Sequence, residues 1–599
     1  MNSEIRTCQN CKQNFTIEAE DFQFYEKIKV PAPTWCPECR FIRRLTWRNE
    51  RVFYKRKCGL CQKPIIAASD ENSAPVVYCQ TCWWSDNWDP LQYGRDYDFS
   101  RTFFEQFADL YRSVPQINLW SFSNGENCDY ANLCAYSKDA YLSISAVESE
   151  YIYYTVIADK SFNCMDSYGI YGCTLCYEVI DASRCNNCSF LINSRECADS
   201  DFLFDCANCQ NCFMSSNLRN KQYYIRNKKY SKEDYVQEME RINKRSYASH
   251  HVLRKEFEEL VLKSLHKYAN IIKSVDITGD HMENAKNCRD VWYGQNLEDS
   301  SHCWRTRDSK NVYDITGMLF SELMYEVSVG GDKNYNAKFC MMNKGLHDCD
   351  YAILSPDSRN VFGCVGMKNG RYAILNKTYG ESEFKELRSR IIEQMNLSPY
   401  TDRLGRMFKY GEYFPPALSP WAYNETVAQE YFPLDKESAE KSGYAWKEAR
   451  SRENTSDIAS GDLPDLVDDS DKNLLGKIIG CKHHEQNKHE FGCKAACTLG
   501  FKMIPQEIEM YKKIKVPLPR VCPNCRHYER LRRRNPLKLW KRRCMCLGLI
   551  ANSVEQGAYV NTVKHFHGDN PCPNEFETSY GPDRPEIVYC EHCYQTEVV

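Results

Sequence analysis

Cysteine is the residue type in this sequence whose number and spacing point to chemistry. The 599 residues include 34 cysteines, and those of the first ninety residues form Cys-x-x-Cys pairs. Two such pairs brought together supply the four soft donors of a tetrahedral zinc site. A redox role is less favoured, because no thioredoxin-like strand–helix pattern surrounds the pairs. The spacing predicts zinc ligands at Cys8, Cys11, Cys36, Cys39, Cys58, Cys61, Cys79 and Cys82.

The end of the chain repeats this module. Residues 20–40 (EDFQFYEKIKVPAPTWCPECR) align with residues 506–526 (QEIEMYKKIKVPLPRVCPNCR), and the cysteines stay in register. Either Cys481 or Cys493 takes the place of Cys8 in the copy. The other predicted ligands are Cys497, Cys522, Cys525, Cys544, Cys546, Cys590 and Cys593. With four cysteines per ion, the sequence predicts about four zinc ions per chain.

The C-terminal copy also contains an insertion before its closing pair. It adds His565, His567 and Cys572, which form either an extra metal site or an ordinary loop, and the loop is the favoured interpretation.

The second cysteine pair of each module leads into a helix-like stretch, as in Cys36-Pro-Glu-Cys39-Arg-Phe-Ile-Arg-Arg-Leu. A hairpin knuckle with one pair and a helix start with the other make a treble clef, in which helix amides can hydrogen-bond thiolates. On these motifs, residues 8–44 and 493–530 resemble the zinc-ribbon (zinc treble-clef) family. The whole chain resembles large uncharacterised bacterial proteins built from such ribbons. The resemblance implies zinc binding and little about activity.

Basic residues follow these cysteine pairs in large excess. Residues 40–57 carry eight Lys and Arg against Glu50 alone, and residues 526–543 carry nine against Glu529. Arginine interleaved with aromatic residues suits phosphate contact and base stacking. The alternatives are a solvated face that offsets zinc–thiolate charge, and docking onto the acidic residues 457–471. The predicted nucleic-acid contacts are Arg40, Arg43, Arg44, Arg48, Arg51, Arg526, Arg530, Arg533 and Arg534.

The middle of the chain repeats at a spacing of 21 residues. Cys164, Cys185 and Cys206 follow this step, and the segment Tyr-Ala-Ile-Leu occurs at 351–354 and again at 372–375. A fixed period near twenty residues is typical of solenoids, and strand-prone residues with Asn, Asp and Gly between them favour β coils. We expect a mainly β fold, with a central parallel β-helix of 21-residue coils in two halves. Capping helices and the two zinc treble-clef modules flank it.

The cysteines of the central repeats allow three interpretations. Cys185/Cys188 and Cys206/Cys209 have zinc-like spacing, and Cys206, Cys209 and Cys212 copy part of an iron–sulfur pattern. Identical residues one coil apart also form internal ladders, in which a buried thiol packs as a small hydrophobe. The ladder is the favoured interpretation.

These patterns divide the chain into eight segments. Two zinc modules enclose a connector, two solenoid halves with their helices, and an irregular acidic linker that is either flexible or a docking strand. The predicted boundaries are 1–92 (zinc module), 93–119 (helical connector), 120–230 (first solenoid half), 231–280 (capping or inserted helices), 281–379 (second half), 380–397 (capping helix), 398–478 (linker) and 479–599 (zinc module).

Composition limits the classes of function. The sequence has no run of 18 apolar residues and no apolar signal core, so we expect a cytoplasmic protein without membrane contact. The net charge of −3 means that any nucleic-acid surface must be local. No nucleotide-binding glycine loop, Gly-x-Ser-x-Gly or His-Glu-x-x-His motif is present in the sequence.

Three functional hypotheses follow from these observations. The first is a zinc-binding, non-enzymatic scaffold whose basic helices bind RNA, DNA or a ribonucleoprotein. The second is a protein-interaction or assembly unit that uses the solenoid surface, with the basic helices docked internally. The third is a carbohydrate-active β-helix enzyme, for which no carboxylate pair stands out.

Overall fold

The computed structural model describes residues 2–73, 75–122, 125–448, 456–469, 474–489, 492–548 and 559–599. The described fold is mainly β, and the chain divides into two compact units. One unit combines residues 1–120 with 269–448, and the other combines 121–268 with 449–599. Each unit therefore joins one cysteine module to a large sheet that is remote from it in sequence.

The first sheet belongs to the unit that contains the C-terminal module. Its strands pair in parallel, apart from the closing pair, and most paired residues lie twelve positions apart, as in Cys164↔Cys176 and Cys176↔Cys188. Its strands are Ser121–Phe122, Tyr130–Asn132, Cys134–Ala135, Lys138–Val147, Glu150–Tyr153, Val156–Asp159, Phe162–Met165, Tyr168–Tyr171, Thr174–Tyr177, Ile180–Ser183, Asn186–Ile192, Ala198–Phe204, Gln210–Ser216, Gln222–Ile225 and Lys228–Lys229.

The second sheet belongs to the unit that contains the N-terminal module. Most of its pairs keep the same twelve-residue register, as in Val312↔Met324 and Ile315↔Val327. Its strands are Ile271–Ile272, Val275–Glu283, Lys286–Ser301, Trp304–Leu319, Ser321–Gly330, Asn334–Lys338, Met341–Asn343, His347–Asp350, Arg359–Phe362, Arg371–Ile374 and Lys377–Thr378. It begins inside the segment 231–280 for which helices were predicted.

A three-residue pattern underlies both sheets. Every third residue is buried, and the residue before it adopts a positive φ, as in Asn163 before Cys164 and Asp166 before Ser167. Asn, Asp and Gly tolerate that left-handed conformation best, which explains their frequency between the strand-prone residues. On the exposed face of the first sheet, Asn187 donates to Asp199 over 2.7 Å, again at a separation of twelve.

The predicted coil length of 21 residues is wrong, because strands pair at a separation of twelve. Both numbers are multiples of three, so residues 21 apart occupy the same buried place in the triplet without being paired neighbours. Cys164, Cys185 and Cys206 illustrate this, since all three are buried. The 21-residue period in the sequence therefore reflects the three-residue burial pattern and not the separation of paired residues.

The cysteines of the first sheet line its interior. Cys164 Sγ donates to the carbonyl oxygens of Phe162 and Cys173, at 3.4 and 3.5 Å. Ser143 Oγ makes the equivalent pair of bonds, at 3.2 and 3.0 Å, to Tyr141 and Ile152. Cysteine and serine thus fill the same narrow position and satisfy the same carbonyl groups, which is the behaviour expected of a packing ladder.

Short hairpins and helices form the cysteine modules. The N-terminal module contains strands Glu4–Thr7, Asn14–Ile17, Tyr54–Lys57, Pro64–Ala67 and Val77–Tyr78, and helices Ala19–Lys27, Pro37–Leu45 and Gln80–Trp84. The C-terminal module contains strands Ile479–Gly480, Gly500–Phe501, Trp540–Arg543, Glu575–Thr578 and Ile587–Tyr589, and helices Lys482–Glu485, Cys493–Ala496, Pro505–Ile514, Pro523–Arg532 and Glu591–Val598.

The remaining helices and strands complete the two units. The N-terminal unit adds helices Phe103–Ser113, Glu381–Leu397, Val427–Tyr431 and Lys436–Lys441, and strands Gln116–Ile117, Tyr400–Thr401 and Met407–Phe408. The C-terminal unit adds helices Lys232–Arg241 and Tyr247–Lys263 and strand Leu265–Lys267. Among the described residues, no helix combines the length and apolar character needed to cross a membrane.

The predicted irregular linker 398–478 contains short strands and helices, and its first part is packed against the rest of its unit. Tyr413 and Phe414 are fully buried, and Phe414 stacks on Phe107 with ring centroids 4.9 Å apart. Aromatic burial holds this segment in place despite its prolines. Of the predicted acidic docking stretch 457–471, residues 470 and 471 lie outside the described residues.

Candidate metal centres and their arginine anchors

Within the described residues, four clusters of four cysteines have their sulfur atoms within 4.8 Å of one another, a spacing that can hold a metal ion. We number them along the chain. The first is Cys8, Cys11, Cys36 and Cys39, and the second is Cys58, Cys61, Cys79 and Cys82. The third is Cys481, Cys497, Cys522 and Cys525, and the fourth is Cys544, Cys572, Cys590 and Cys593.

Every cluster is built from a strand pair and a helix start. In the first, Cys8 directly follows strand Glu4–Thr7, and Cys36 is the N-cap of helix Pro37–Leu45. Cys79, Cys522 and Cys590 are N-caps in the other three clusters. The N-terminus of a helix offers free amides and a positive dipole end, which suits a thiolate.

The N-cap cysteine makes the same backbone hydrogen bond in all four clusters. Its amide donates to the sulfur of the cysteine that opens the knuckle. The distances are 3.2 Å for Cys36 to Cys8, 3.3 Å for Cys79 to Cys58, 3.3 Å for Cys522 to Cys481 and 3.2 Å for Cys590 to Cys544. This repeated bond assigns Cys481 and Cys544 the place that Cys8 holds in the first cluster.

The sulfur–sulfur distances match the edges of a metal tetrahedron. Zinc–sulfur bonds of about 2.3 Å place tetrahedral sulfurs about 3.8 Å apart. The distance is 3.7 Å for Cys11 to Cys36, 3.8 Å for Cys61 to Cys79, 3.8 Å for Cys481 to Cys525, and 3.9 Å for both Cys497 to Cys522 and Cys572 to Cys590. The clusters are therefore already at ligand spacing.

Hydrogen bonding favours a thiolate in each cluster. The Cys36 and Cys39 side chains lower the pKa of Cys8 well below its usual value. Burial raises the pKa of Cys58, but the backbone amides of Cys61 and Cys79 outweigh it and bring that pKa to about 6. The Cys497 side chain lowers the pKa of Cys481 to about 7, and the Cys544 side chain lowers that of Cys590 to about 4.

At the C-terminal clusters the structure selects one of two open alternatives and changes one predicted ligand. Of the alternatives Cys481 and Cys493, the third cluster contains Cys481. Cys546 does not belong to the fourth cluster, where Cys572 takes the expected place. Cys546 was predicted because the knuckle cysteines of the N-terminal module have only two residues between them. The long insertion before Cys572 is the only sign in the sequence that the fourth cluster differs.

The remaining cysteines of the C-terminal module, with nearby histidines, lie beside the third and fourth clusters. Cys493 groups with His483, His489 and Cys525. Cys546 Sγ lies 3.6 Å from His565 Nδ1, and His567 Nε2 lies 3.4 Å from Cys593 Sγ. The histidines at 483 and 489 were missed at the sequence level.

Three of the predicted nucleic-acid arginines of the N-terminal module, Arg40, Arg43 and Arg44, are buried and face carboxylates of the second sheet. Arg40 Nη2 lies 2.8 Å from Asp314, and Arg43 Nη2 lies 2.6 Å from Glu326. Arg44 Nη1 lies 3.2 Å from Asp314 and 3.4 Å from Glu326. Asp314 and Glu326 are twelve residues apart and sit on adjacent paired strands.

The C-terminal module repeats this contact on the first sheet. Arg526 Nε lies 3.0 Å from Asp166, and Arg530 Nη1 lies 2.8 Å from Asp166 and 2.9 Å from Glu178. Asp166 and Glu178 are again twelve residues apart, and each directly follows one of two paired strands, Phe162–Met165 and Thr174–Tyr177. In the alignment of the two modules Arg526 corresponds to Arg40, so the duplicated helices meet the same kind of acidic pair.

The other candidate arginines take part in similar contacts. Arg533 Nη1 lies 3.3 Å from Glu178, and Arg534 Nε lies 3.2 Å from Asp181. Arg48 pairs with Glu50, and Arg51 Nε lies 3.7 Å from Glu430. The guanidinium groups of these arginines are thus paired with carboxylates of their own units, and their binding to nucleic acid stays a prediction.

Burial and charge oppose each other at these carboxylates. Burial alone raises the pKa of Asp314, but Arg40 and Arg44 outweigh it and leave the pKa below its ordinary value. At Glu326 burial dominates over Arg43 and Arg44, so its pKa is raised. A buried ion pair stabilises little in total, but removing one partner leaves a costly uncompensated charge.

The acidic partners were not foreseen from the sequence. The available signal is an Asp and a Glu twelve residues apart within each run of triplets, which has no meaning until the register is known. In comparisons with known proteins, no protein-family model and no curated protein matches this chain.

Proposed function

We propose that this chain is a zinc-stabilised, non-enzymatic scaffold. In each unit, a metal-bound treble clef stabilises the large sheet of that unit. The observation that carries the proposal is the pair of buried arginine–carboxylate contacts. Each begins on the helix that follows a cysteine cluster and ends on an acidic pair of the sheet in the same unit.

The donor set supports zinc as the metal. Four thiolates at tetrahedral spacing suit zinc, and sites with four protein ligands are structural because no position is open for a substrate. The resemblance of residues 8–44 and 493–530 to the zinc-ribbon family supports the same assignment. On this basis we propose at least four zinc ions per chain.

The metal would act by ordering the arginine helices. Helix Pro37–Leu45 has nine residues, which is too short to be stable alone in water. Its first turn carries Cys36 and Cys39, and its last two turns carry the arginines that reach the second sheet. Fixing the first turn on zinc would therefore place the guanidinium groups.

We also propose that each large sheet is a parallel β-helix with twelve residues per coil. The support is the repeated twelve-residue register together with a positive φ and a buried side chain in every triplet. Four triplets would then make the four sides of one coil. Such a body presents long outer surfaces, which suits a protein-interaction or assembly role.

Nucleic-acid binding is the second candidate, now through strands and not through the helices. Lys55 and Lys57 are exposed on strand Tyr54–Lys57, and Lys541 and Arg543 are exposed on strand Trp540–Arg543. These cations lie next to the second and fourth clusters, and Arg543 pairs with Glu575 at 2.9 Å. Phosphate binding there would weaken steeply with salt.

Element analysis of the full chain tests the metal, and hydrogen exchange tests its role. We expect at least four zinc ions, and removal by a strong chelator should expose the amides of Pro37–Leu45 and Pro523–Arg532. Cys36→Ser should lose one ion, whereas the matched ladder variant Cys188→Ser should keep all of them. A metal-free chain with both helices still protected would contradict the proposal.

Affinity capture from the native host separates the two kinds of partner. Protein partners that remain after nuclease treatment support the assembly role. Nucleic acid that is retained at low salt and lost in Lys55→Glu/Lys57→Glu supports the second candidate.

A further inference from the structure

Beyond the four cysteine clusters, the C-terminal module holds two further groups of soft ligands. We propose that the third and fourth clusters are each extended to a two-metal zinc centre, with one cysteine shared as a bridging thiolate. This inference rests on the proposed zinc binding and adds two ions to it.

The extension of the third cluster consists of Cys493, His483, His489 and the shared Cys525. Cys493 Sγ lies 3.7 Å from His483 Nδ1 and 3.5 Å from His489 Nδ1. Tetrahedral zinc with bonds of about 2.3 Å to sulfur and about 2.0 Å to nitrogen places these atoms about 3.5 Å apart. Cys525 lies 3.8 Å from Cys481, so it belongs to both groups of ligands.

The extension of the fourth cluster has the same composition. Cys546 Sγ lies 3.6 Å from His565 Nδ1, and the ring centroids of His565 and His567 are 5.6 Å apart. His567 Nε2 lies 3.4 Å from Cys593 Sγ, and Cys593 also belongs to the fourth cluster. Each proposed centre therefore has five cysteines and two histidines around two ions.

Hydrogen bonds on the far side of the rings support a ligand role. His483 Nε2 lies 3.2 Å from Glu529, and His565 Nε2 lies 3.1 Å from Glu597. In both residues the carboxylate accepts a hydrogen bond from Nε2–H, so Nδ1 faces a cysteine. His567 is held the other way round, with Nδ1 2.5 Å from the Asn570 carbonyl oxygen. Metal-bound histidines are typically oriented by such partners.

The positions of the extra ligands in the chain follow one rule. Two residues separate the knuckle cysteines in the first and second clusters, whereas 15 residues separate them in the third and 27 in the fourth. All the extra ligands lie inside these two insertions. The N-terminal module contains no histidine, since the first histidine of the chain is His250.

Charge also favours the second ion. A zinc ion with four thiolates carries a formal charge of −2 in a buried site. Two zinc ions with five thiolates and two neutral imidazoles carry −1, which lowers the desolvation cost. All four cysteines of the third cluster and all four of the fourth are buried.

Native mass spectrometry of the full chain loaded with zinc and treated with a weak chelator tests the inference. We expect six ions. His483→Ala/His489→Ala and His565→Ala/His567→Ala should each hold one ion fewer, and His251→Ala, at an exposed helix position, should hold all six.

The outcomes separate the two proposals. Four ions in the unmodified chain, unchanged by the histidine substitutions, would overturn the two-metal centres and leave the four-cysteine sites intact. No bound ion would overturn both. X-ray absorption of the unmodified zinc protein gives a check that needs no variant, since bridged centres predict imidazole ligation and a zinc–zinc distance, and pure sulfur ligation contradicts them.

Discussion

The N-terminal and C-terminal cysteine modules share one plan and differ in how they protect their sulfurs. Both place a knuckle against a helix start and send arginines from that helix onto an acidic pair of a sheet. Cys11 and Cys61 are exposed in the N-terminal module, whereas every cysteine of the third and fourth clusters is buried. The insertions that carry the extra histidines accompany this burial.

The difference shows which features the duplicated module needs and which it can vary. The amide-to-sulfur bond and the arginine–carboxylate contact are present in both modules, so they belong to the shared means of holding cluster and sheet together. The length of the knuckle loop varies from two residues to 27, and the two clusters with the long loops are those whose cysteines are all buried.

The largest expected effect comes from removing an equivalent arginine in each module. Arg44→Met leaves Asp314 and Glu326 short of a partner, and Arg530→Met does the same to Asp166 and Glu178. Breaking a buried pair in this way costs about 3–5 kcal/mol. Hydrogen exchange of strands Ser321–Gly330 and Thr174–Tyr177 should report that loss locally.

Arg543→Met is the matched control, because Arg543 is 82% exposed and makes a surface pair with Glu575. It should change local stability by less than about 1 kcal/mol. If only one of the two buried arginines proves sensitive, the two modules do not anchor their sheets in the same way.

A smaller effect distinguishes the units by pH. Burial lowers the pKa of His250 to about 3, and its ring packs on Phe190 with centroids 4.8 Å apart. The unfolded chain binds this proton near pH 6.5 and the folded chain does not, so stability falls as pH decreases below 6.5. We expect a loss of about 2 kcal/mol between pH 6.5 and 4.5 in the C-terminal unit.

Denaturant unfolding of wild type and His250→Gln at several pH values, followed by hydrogen exchange in helix Tyr247–Lys263, measures this term. The variant removes the titrating group, so its stability should depend less on pH over this range. Equal slopes in both proteins would assign the acid sensitivity to other groups, including the cluster thiols, which are present in both.

The smallest expected effect concerns access to the sulfurs. Iodoacetamide should alkylate Cys11 and Cys61 at least about tenfold faster than Cys497 and Cys572, the equivalent residues of the buried clusters, because thiol reactivity follows exposure. Peptide mass spectrometry of the zinc-loaded chain measures the individual rates. Faster labelling in the C-terminal module would reverse the comparison.

Local spacing in the sequence was sufficient for much of the candidate site. The N-terminal pairs were found because two cysteines of each cluster lie within four residues, and the copy was found through its alignment. Cys546 was predicted in place of Cys572 because the short spacing of the N-terminal cysteine pairs was expected here as well. In the fourth cluster 27 residues separate the two knuckle cysteines. A ligand that comes from a long insertion leaves no fixed spacing to recognise.

The role of the arginines was beyond what the sequence reveals. Eight positive charges beside a cluster are as compatible with a phosphate-binding surface as with an internal contact. The two cases differ only in which groups face the arginines. The partners Asp314 and Glu326 are more than 250 residues from Arg40 in the chain. Their pairing depends on which sheet each module meets.

By itself, the sequence determined the ligand chemistry, the duplication of the modules and the repetitive β character of the middle, because these are properties of neighbouring residues. The tertiary structure decided the twelve-residue register, the choice of Cys481 and Cys572, and the combination of each module with the sheet remote from it. Those outcomes depend on contacts between segments that are far apart in the chain. Local sequence patterns fit several arrangements equally well, and the burial of charged groups and of sulfur atoms distinguishes among them.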